Sequence, residues 1–158
     1  MEPLYNPGGV EERWQRVWEG EGLYSAEPGA DAESFVIMHP PPNISGSLTI
    51  GHCLQLALED ALVRWHRMRG FNTLFQPGYD HAGISTWAAI GRELAKEGKT
   101  QRDLGREGFD AYAQEWLERY GGTIMAQFRL LGASLDYRRE RFTMDPGYSR
   151  AVVSTSPG

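Results

Sequence analysis

Two loops of this 158-residue chain carry the side chains whose types could do chemistry. The first loop, 40–52, begins with three prolines and ends in Gly51 and His52, and the second contains Asp80 and His81. Histidine is a poor helix cap, where Ser, Thr, Asp or Asn is preferred, but it can donate a hydrogen bond to an anion. A carboxylate beside a phosphate site suits a cationic group such as an amine. The first loop therefore predicts a phosphate site, and the second predicts an amine-binding neighbour.

Both loops also have a simpler interpretation. Turns rich in Pro, Gly, Asn and Ser join strands to helices for conformational reasons alone. Asp80 could likewise do no more than cap the helix that follows it. Residue types and spacing leave these alternatives open.

The first loop joins a predicted strand to a predicted helix. The apolar run 35–38 is typical of a strand covered on both faces in a parallel sheet. Three prolines stiffen the exit from this strand, and Gly46 and Gly51 allow the backbone to approach a ligand closely. A helix is then predicted over 52–69, and its free N–H groups suit an anion.

This helix has an apolar stripe that we expect to face the core. The stripe consists of Leu54, Leu58, Ala61, Leu62, Trp65 and Met68. Charged residues lie largely on the opposite face, and we expect the basic run from Arg64 to Arg69 to be solvated.

A second strand is predicted over 72–76, followed by the second loop and a helix over 84–96. Strand, helix and parallel strand form a βαβ unit, which places both loops at the carboxyl ends of neighbouring strands. Ligands bind at that edge of open parallel sheets. The residues expected to converge on one cleft are Asn43, Gly51, His52, Asp80 and His81.

Composition limits the classes of function. The net charge of −5 argues against nucleic-acid binding by this chain alone, and no segment is apolar for long enough to span a membrane. Cys53 is the only cysteine, and His39, His52 and His81 lack metal-ligand spacing. No protein-bound metal is therefore predicted, and without a signal-peptide pattern we expect a cytoplasmic protein.

Several motifs in order match a known family. They are Pro40-Pro41-Pro42-Asn43, Gly46-Ser47-Leu48, Ile50-Gly51-His52, Pro77-Gly78 and Asp80-His81-Ala82-Gly83-Ile84. The segment 35–86 resembles the catalytic core of class I aminoacyl-tRNA synthetases and, within it, the valyl-tRNA synthetase family. The first three motifs resemble the HIGH signature, and the others resemble the second-loop signature. The similarity extends over about 5–151 and includes Phe142-Thr143-Met144-Asp145.

This resemblance implies an α/β fold class, specifically the N-terminal half of a Rossmann-like parallel-sheet nucleotide-binding fold preceded by a short N-terminal helix. It also implies ATP-dependent activation of valine and ligation to tRNA(Val). The expected substrate complex is ATP with Mg²⁺, and tRNA(Val) would bind through regions mostly absent from this chain. A non-catalytic module that binds ATP or an amino acid, or a structural module that needs a separate C-terminal fragment, is the alternative.

The resemblance assigns expected roles residue by residue. His52 and Thr49 stand at the catalytic positions of the HIGH signature, and Asn43, Gly51 and His52 are the expected ATP-binding residues. The expected amino-acid-binding residues are Pro41, Pro42, Asn43 and Asp80, of which Asp80 would pair with the valine ammonium group. Thr49 stands where the family has its first signature histidine, so we expect impaired activation. Tyr79 and Trp87 also replace residues that are usually smaller or more polar.

The same comparison predicts a division of the chain. Residues 1–34 form an N-terminal helix and linker, and 35–151 form the first half of the catalytic domain. Residues 152–158 are expected to be an unstructured or non-native tail, because Ser, Thr, Pro and Gly do not support the helix that the family has there. A second nucleotide-fold half with its KMSKS-type loop, an editing insertion and anticodon-binding helices have no counterpart in this sequence.

Overall fold

The computed structural model describes residues 4–44, 47–81 and 83–155. The predicted role of Gly46 and the motif position Ala82 lie outside these ranges. The helices are α1 (Pro7–Gly20), α2 (Ile50–Met68), α3 (Ile84–Lys96), α4 (Gln101–Leu130) and α5 (Pro146–Thr155). The strands are β1 (Ser34–Met38), β2 (Asn72–Gln76), β3 (Gly78–Tyr79) and β4 (Arg141–Phe142).

The chain divides into two compact units. The first contains the described residues up to His39 together with Ile50–Pro77 and Gln127–Glu140. The second contains the described residues of Pro40–Thr49, of Gly78–Ala126 and from Arg141 onward. None of the helices in the described part of the chain is long and apolar enough to cross a membrane.

The predicted βαβ unit is confirmed in the first unit. β1 and β2 are parallel, with pairing that runs from Ser34 opposite Asn72 to Met38 opposite Gln76. α2 connects the two strands and packs on both of them. The mixed α/β class with parallel strands, predicted from the alternation of strand and helix periodicities, is therefore correct.

Only one face of β1 is covered, so the predicted burial of both faces is wrong. The Phe35 ring stacks on the His66 ring of α2 with centroids 3.4 Å apart, and Phe35 and Ile37 are half-buried. On the other face Val36 is 60% exposed and Met38 is 73% exposed. α2 lies against the Phe35 face alone, so the strand alternates between covered and open positions.

The predicted orientation of α2 is also wrong. The side chains of the expected stripe are largely exposed, whereas Leu56 and Val63 are the buried residues of this helix. Exposed members include Leu54 at 63%, Leu58 at 63%, Leu62 at 51% and Met68 at 80%. The face that packs inward is therefore displaced from the most apolar stripe.

Polar contacts on the charged face explain this orientation. Arg64 Nη2 donates to the Gly132 carbonyl at 2.6 Å, and Arg67 Nη1 donates to Ser134 Oγ at 2.5 Å. Asp60 Oδ1 accepts from the Ser134 backbone N–H at 3.0 Å. Hydrogen bonds to charged groups are among the stronger ones in proteins. The expectation that Arg64 and Arg67 are solvated is therefore wrong.

In the second unit, a polar cluster joins α3 to α4. Glu93 accepts hydrogen bonds from Trp116 Nε1 at 2.7 Å and from the Tyr120 hydroxyl at 3.2 Å, and it pairs with Arg119. The apolar residues buried beside this cluster are Ile90, Leu94, Phe109, Ala113 and Leu117. α4 continues through Gly121 and Gly122, and its break lies at Gly105, whose φ is 66°.

α5 extends beyond the predicted end of the fold at Ala151. It ends at Thr155, so residues 152–155 are helical, and of the two expected alternatives for this segment, unstructured or non-native, the second stays open. Ser154 Oγ and Thr155 Oγ1 each donate to the Ala151 carbonyl at 2.9 Å, which satisfies these hydroxyls within the helix. The division into 1–34 and 35–151 and the foreign origin of the tail stay predictions.

Candidate functional site

The backbone of Asp80 is paired with the proline-rich loop. The Asp80 N–H donates to the Pro42 carbonyl at 2.8 Å, and the Ile44 N–H donates to the Asp80 carbonyl at 2.9 Å. These bonds form a parallel bridge between Asn43 and Asp80. Two of the residues predicted to share a cleft, 37 positions apart in the sequence, are therefore neighbours in the structure.

The proline-rich loop is itself anchored in the second unit. Ile44 is fully buried, and its carbonyl accepts a hydrogen bond from Thr86 Oγ1 of α3 at 2.8 Å. Pro42 is also buried, whereas Pro41 and Asn43 are exposed. The loop therefore presents Asn43 from a fixed backbone, which is the arrangement that a preorganised binding site needs.

A polar cluster of side chains surrounds the Asp80 carboxylate. Thr143 Oγ1 lies 2.8 Å from Asp80 Oδ1 and 2.8 Å from His81 Nδ1. His81 Nδ1 is also 3.4 Å from Asp80 Oδ1. The side chain of Asp80 is 32% exposed and that of His81 is 41% exposed, so both can reach a ligand from solvent.

Thr143 reaches this cluster because β4 pairs with β3. Gly78 lies opposite Arg141 and Tyr79 lies opposite Phe142, in parallel register. The Tyr79 and Phe142 rings stack with centroids 5.0 Å apart, and the Thr143 N–H donates to the Tyr79 carbonyl at 3.3 Å. Sequence reasoning missed Thr143, although it belongs to the matched motif that begins at Phe142.

Small residues are required on both sides of β3. A Cβ atom at Gly78 would lie 2.9 Å from the Arg141 carbonyl oxygen, and one at Gly121 of α4 would lie 2.8 Å from Tyr79 Cε2. Contacts this short do not occur in folded proteins without movement of one partner. These two glycines therefore let β4 and α4 approach the strand that precedes Asp80.

The segment after Thr143 is fixed by a helix cap. Asp145 Oδ1 accepts a hydrogen bond from the Tyr148 N–H at 2.7 Å in the first turn of α5. This bond to the carboxylate lowers the pKa of Asp145, as expected for an acceptor whose charged form is stabilised. The Asp145 N–H in turn donates to the Phe142 carbonyl at 2.9 Å, which closes a turn around Thr143.

The other predicted site residues lie at the N-terminus of α2. The helix begins at Ile50, so Gly51 and His52 are in its first turn and Thr49 immediately precedes it. Gly51 is exposed and His52 is half-buried. Gly51 and His52 belong to the first unit, and their convergence with Asn43, Asp80 and His81 in one cleft stays a prediction of the sequence.

A protein metal site requires several His, Cys, Asp or Glu side chains to lie close together. Within 4–44, 47–81 and 83–155, His, Cys, Asp and Glu side chains do not form a group of three that could hold a metal ion. The cluster at Asp80 contains one carboxylate and one imidazole, so it suits a cationic organic group better than a metal ion.

Comparison with known proteins identifies the family. The sequence profile described as tRNA synthetases class I (I, L, M and V) matches residues 13–156. The chain belongs to the class I tRNA synthetases. Within 13–156 lie the proline-rich loop, the start of α2, Asp80 and Thr143, so every residue of the candidate site is inside the matched region.

Curated relatives of this class I synthetase chain are valine–tRNA ligases. It is 50% identical to that of Gluconobacter oxydans over 96% of its own length, and 50% identical to that of Carboxydothermus hydrogenoformans over 94%. The corresponding protein of Nostoc sp. is 48% identical over 95% of the chain. The chain spans only 17%, 17% and 15% of these three relatives.

A solved structure shares the fold of this class I synthetase chain. The ternary complex of Agrobacterium radiobacter LeuRS, tRNA and LeuAMS matches with a TM-score of 0.71 at 22% identity. The match covers 92% of this chain and 17% of the LeuRS chain. The expected α/β fold, the N-terminal half of a Rossmann-like parallel-sheet fold, is therefore confirmed.

Proposed function

We propose that this chain is the N-terminal part of a valine-activating ligase and carries the amino-acid side of its adenylation site. The pairing of Asn43 with Asp80 is the observation that carries this proposal. It joins the signature loop to an accessible carboxylate on a rigid backbone. The high identity to valine–tRNA ligases, at 47–50% over nearly the whole chain, supports valine as the substrate.

In the proposed reaction, a valine carboxylate oxygen attacks the α-phosphorus of ATP. A new O–P bond forms, the bond between the α-phosphorus and the bridging oxygen breaks, and pyrophosphate leaves. Such phosphoryl transfer depends on positioning and on stabilisation of developing charge. The ligase would then transfer the valyl group from the adenylate to tRNA(Val).

The side chains have distinct proposed roles. Asp80 accepts hydrogen bonds from the valine ammonium group, and Pro41, Pro42 and Asn43 form the wall of the amino-acid pocket. The positive end of the α2 dipole favours phosphate at its first turn, where Gly51 would contribute its backbone and His52 its imidazole. Asn43 would also contact ATP, and Thr49 would take the place of the first histidine of the HIGH signature as a phosphate donor.

Several parts of the proposal lie outside this chain. Mg²⁺ would arrive with the nucleotide phosphates, whose charge it neutralises when bound. tRNA(Val) would bind through regions of a longer protein or of a separate C-terminal fragment, and the reaction would take place in the cytoplasm. Each of these follows from the proposed ligase function.

Valine-dependent ATP–pyrophosphate exchange by the purified chain tests the proposal. Exchange above that of a chain with both His52→Ala and Asp80→Asn would support catalysis by this part of the enzyme. Valine or ATP binding without exchange would favour the alternative, a non-catalytic binding module. If neither valine nor ATP is bound, and a supplied C-terminal fragment restores neither binding nor exchange, the proposal is wrong.

A further inference from the structure

The Thr143 hydroxyl is shared by three groups of the second loop. Its oxygen lies 2.8 Å from Asp80 Oδ1, 2.8 Å from His81 Nδ1 and 3.0 Å from the backbone nitrogen of His81. A hydroxyl has one proton to donate and two lone pairs to accept with. The three contacts therefore use its complete hydrogen-bonding capacity.

The chemistry of the three partners determines the direction of each bond. An ionised carboxylate can only accept, so the Thr143 proton is donated to Asp80 Oδ1. The His81 backbone N–H can only donate, so Thr143 accepts there. Since the hydroxyl proton is already used, Thr143 can only accept from His81 Nδ1. The geometry thus requires a proton on Nδ1 and, in neutral His81, a lone pair on Nε2.

The same contacts distinguish the two oxygens of Asp80. Within the described part of the chain, Thr143 and His81 both contact Oδ1. None of the described residues donates a hydrogen bond to the second oxygen, Oδ2, which keeps its acceptor capacity for a ligand. Because the Asp80 backbone is held by Pro42 and Ile44, rotation of the side chain is the main remaining freedom, and the bond from Thr143 restricts it.

We propose that Thr143 is a positioning residue that orients Asp80 for the substrate ammonium group and holds His81 with Nε2 as an acceptor. The inference rests on the proposed function, since it concerns the same amino-acid site. Nε2 of His81 and Oδ2 of Asp80 are then two acceptors held by one hydroxyl, which suits a primary ammonium group with several N–H donors.

The hydrogen-bond assignment is testable in the chain without any ligand. ¹⁵N spectra of histidine-labelled protein, recorded at alkaline pH where imidazole rings are neutral, distinguish a protonated ring nitrogen from one with a lone pair. The His81 signals are assigned by their loss in His81→Gln. We expect a protonated Nδ1 and an unprotonated Nε2, and the opposite tautomer would overturn the proposal.

Binding of L-valine tests the positioning role. Thr143→Val has nearly the same shape but lacks the hydroxyl, and we expect it to weaken valine binding roughly tenfold, because the carboxylate loses one charge-assisted bond. Thr143→Ser keeps the hydroxyl and should restore binding to within about threefold. Thr123→Val is the matched control, because the Thr123 hydroxyl donates to the Arg119 carbonyl within α4.

A ligand without the ammonium group separates positioning from general destabilisation. 3-Methylbutanoate keeps the carboxylate and the branched side chain of valine, so its affinity should be unchanged by Thr143→Val. Equal loss of affinity for both ligands, or none for valine, would overturn the positioning role.

Failure of the proposed function gives a different pattern. If Asp80→Asn does not alter valine binding, Asp80 is not the ammonium partner and the proposed function fails. The tautomer of His81 then decides by itself whether Thr143 organises the cluster.

Discussion

Thr49 is the residue at which the chain departs most clearly from its expected signature. It immediately precedes α2, whose first turn contains Gly51 and His52. A threonine hydroxyl is shorter than an imidazole and carries no charge, so in the proposed site it would supply less stabilisation to a phosphate in the transition state. Removing one such donor typically lowers the rate on the order of 10²–10³-fold.

Thr49→His should therefore raise valine-dependent ATP–pyrophosphate exchange. In a protein reconstituted with the remaining catalytic segments, we expect an increase on the order of 10²-fold, with a small change in the KM for valine. Thr49→Ser serves as the control, since it keeps the hydroxyl and should exchange at the original rate. An unchanged rate in Thr49→His would show that this position does not limit activation.

Tyr79 shows how one larger residue constrains its neighbours. A Cβ at Gly121 would meet Tyr79 Cε2 at 2.8 Å, whereas a Cβ at the adjacent Gly122 has no neighbour within 4 Å. Gly121→Ala should destabilise the fold by about 1–3 kcal/mol through overpacking. Gly122→Ala should stabilise it by roughly 0.5–1 kcal/mol, because alanine favours the helix.

Denaturant unfolding of both variants measures these opposite changes in the free energy of unfolding. In a Tyr79→Ala background the clash is absent, so Gly121→Ala should become stabilising like Gly122→Ala. If Gly121→Ala lowers the free energy of unfolding equally in both backgrounds, the close contact with Tyr79 is not the reason that position 121 requires glycine.

At the scale of elements, α2 provides a contrast between two leucines. Leu56 is 3% exposed, and Leu58 on the same helix is 63% exposed. Leu56→Ala should lower the free energy of unfolding by about 2–5 kcal/mol. Leu58→Ala should change it by less than about 0.5 kcal/mol. Chemical denaturation of the two variants decides the orientation of the helix, because equal losses, or a larger loss at Leu58, would contradict it.

The contact between α3 and α4 predicts a pH dependence of stability. Hydrogen bonds from Trp116 Nε1, and also from Arg119 and Tyr120, hold the pKa of Glu93 below its ordinary value. A carboxylate whose pKa is lower in the folded state than in the unfolded state contributes its full stabilisation above its unfolded-state pKa, which is about 4.3 for glutamate. It is lost as the pH falls through the folded pKa.

Glu93→Gln should therefore lower stability at pH 7 and weaken the further loss on acidification below about pH 4. Glu107→Gln, at an exposed position of α4, is the control and should keep the original pH profile. Thermal unfolding between neutral and acidic pH measures both profiles. Parallel profiles for Glu93→Gln and the unchanged chain would contradict the role of this cluster.

Features that depend on interactions between residues near in the sequence could be predicted, and features that depend on contacts between distant residues could not. β1, α2, β2 and α3 were predictable because each has a local periodicity and Gly or Pro at its ends. The orientation of α2 was not, because Gly132 and Ser134, which bind Arg64 and Arg67, are distant in the sequence. An apolar stripe alone favours the wrong face when the charged face has buried partners.

The candidate site shows the same limit. The pairing of Asn43 with Asp80 follows from the placement of both loops at the ends of parallel strands, which periodicity predicts. Thr143 lies 63 residues after Asp80, and its contact depends on the short pairing of β3 with β4. Two-residue strands have too little pattern to be recognised in a single sequence.

For the whole molecule, the central claim is that this chain carries the amino-acid side of a valine adenylation site. Binding of a non-hydrolysable valyl-adenylate analogue, 5′-O-(L-valylsulfamoyl)adenosine, tests it most directly by calorimetry on the purified chain. We expect saturable one-to-one binding that Asp80→Asn weakens at least tenfold, with Asp110→Asn, at an exposed position, as an unaffected control. Absence of binding, or equal affinity in Asp80→Asn and the unchanged chain, would contradict it.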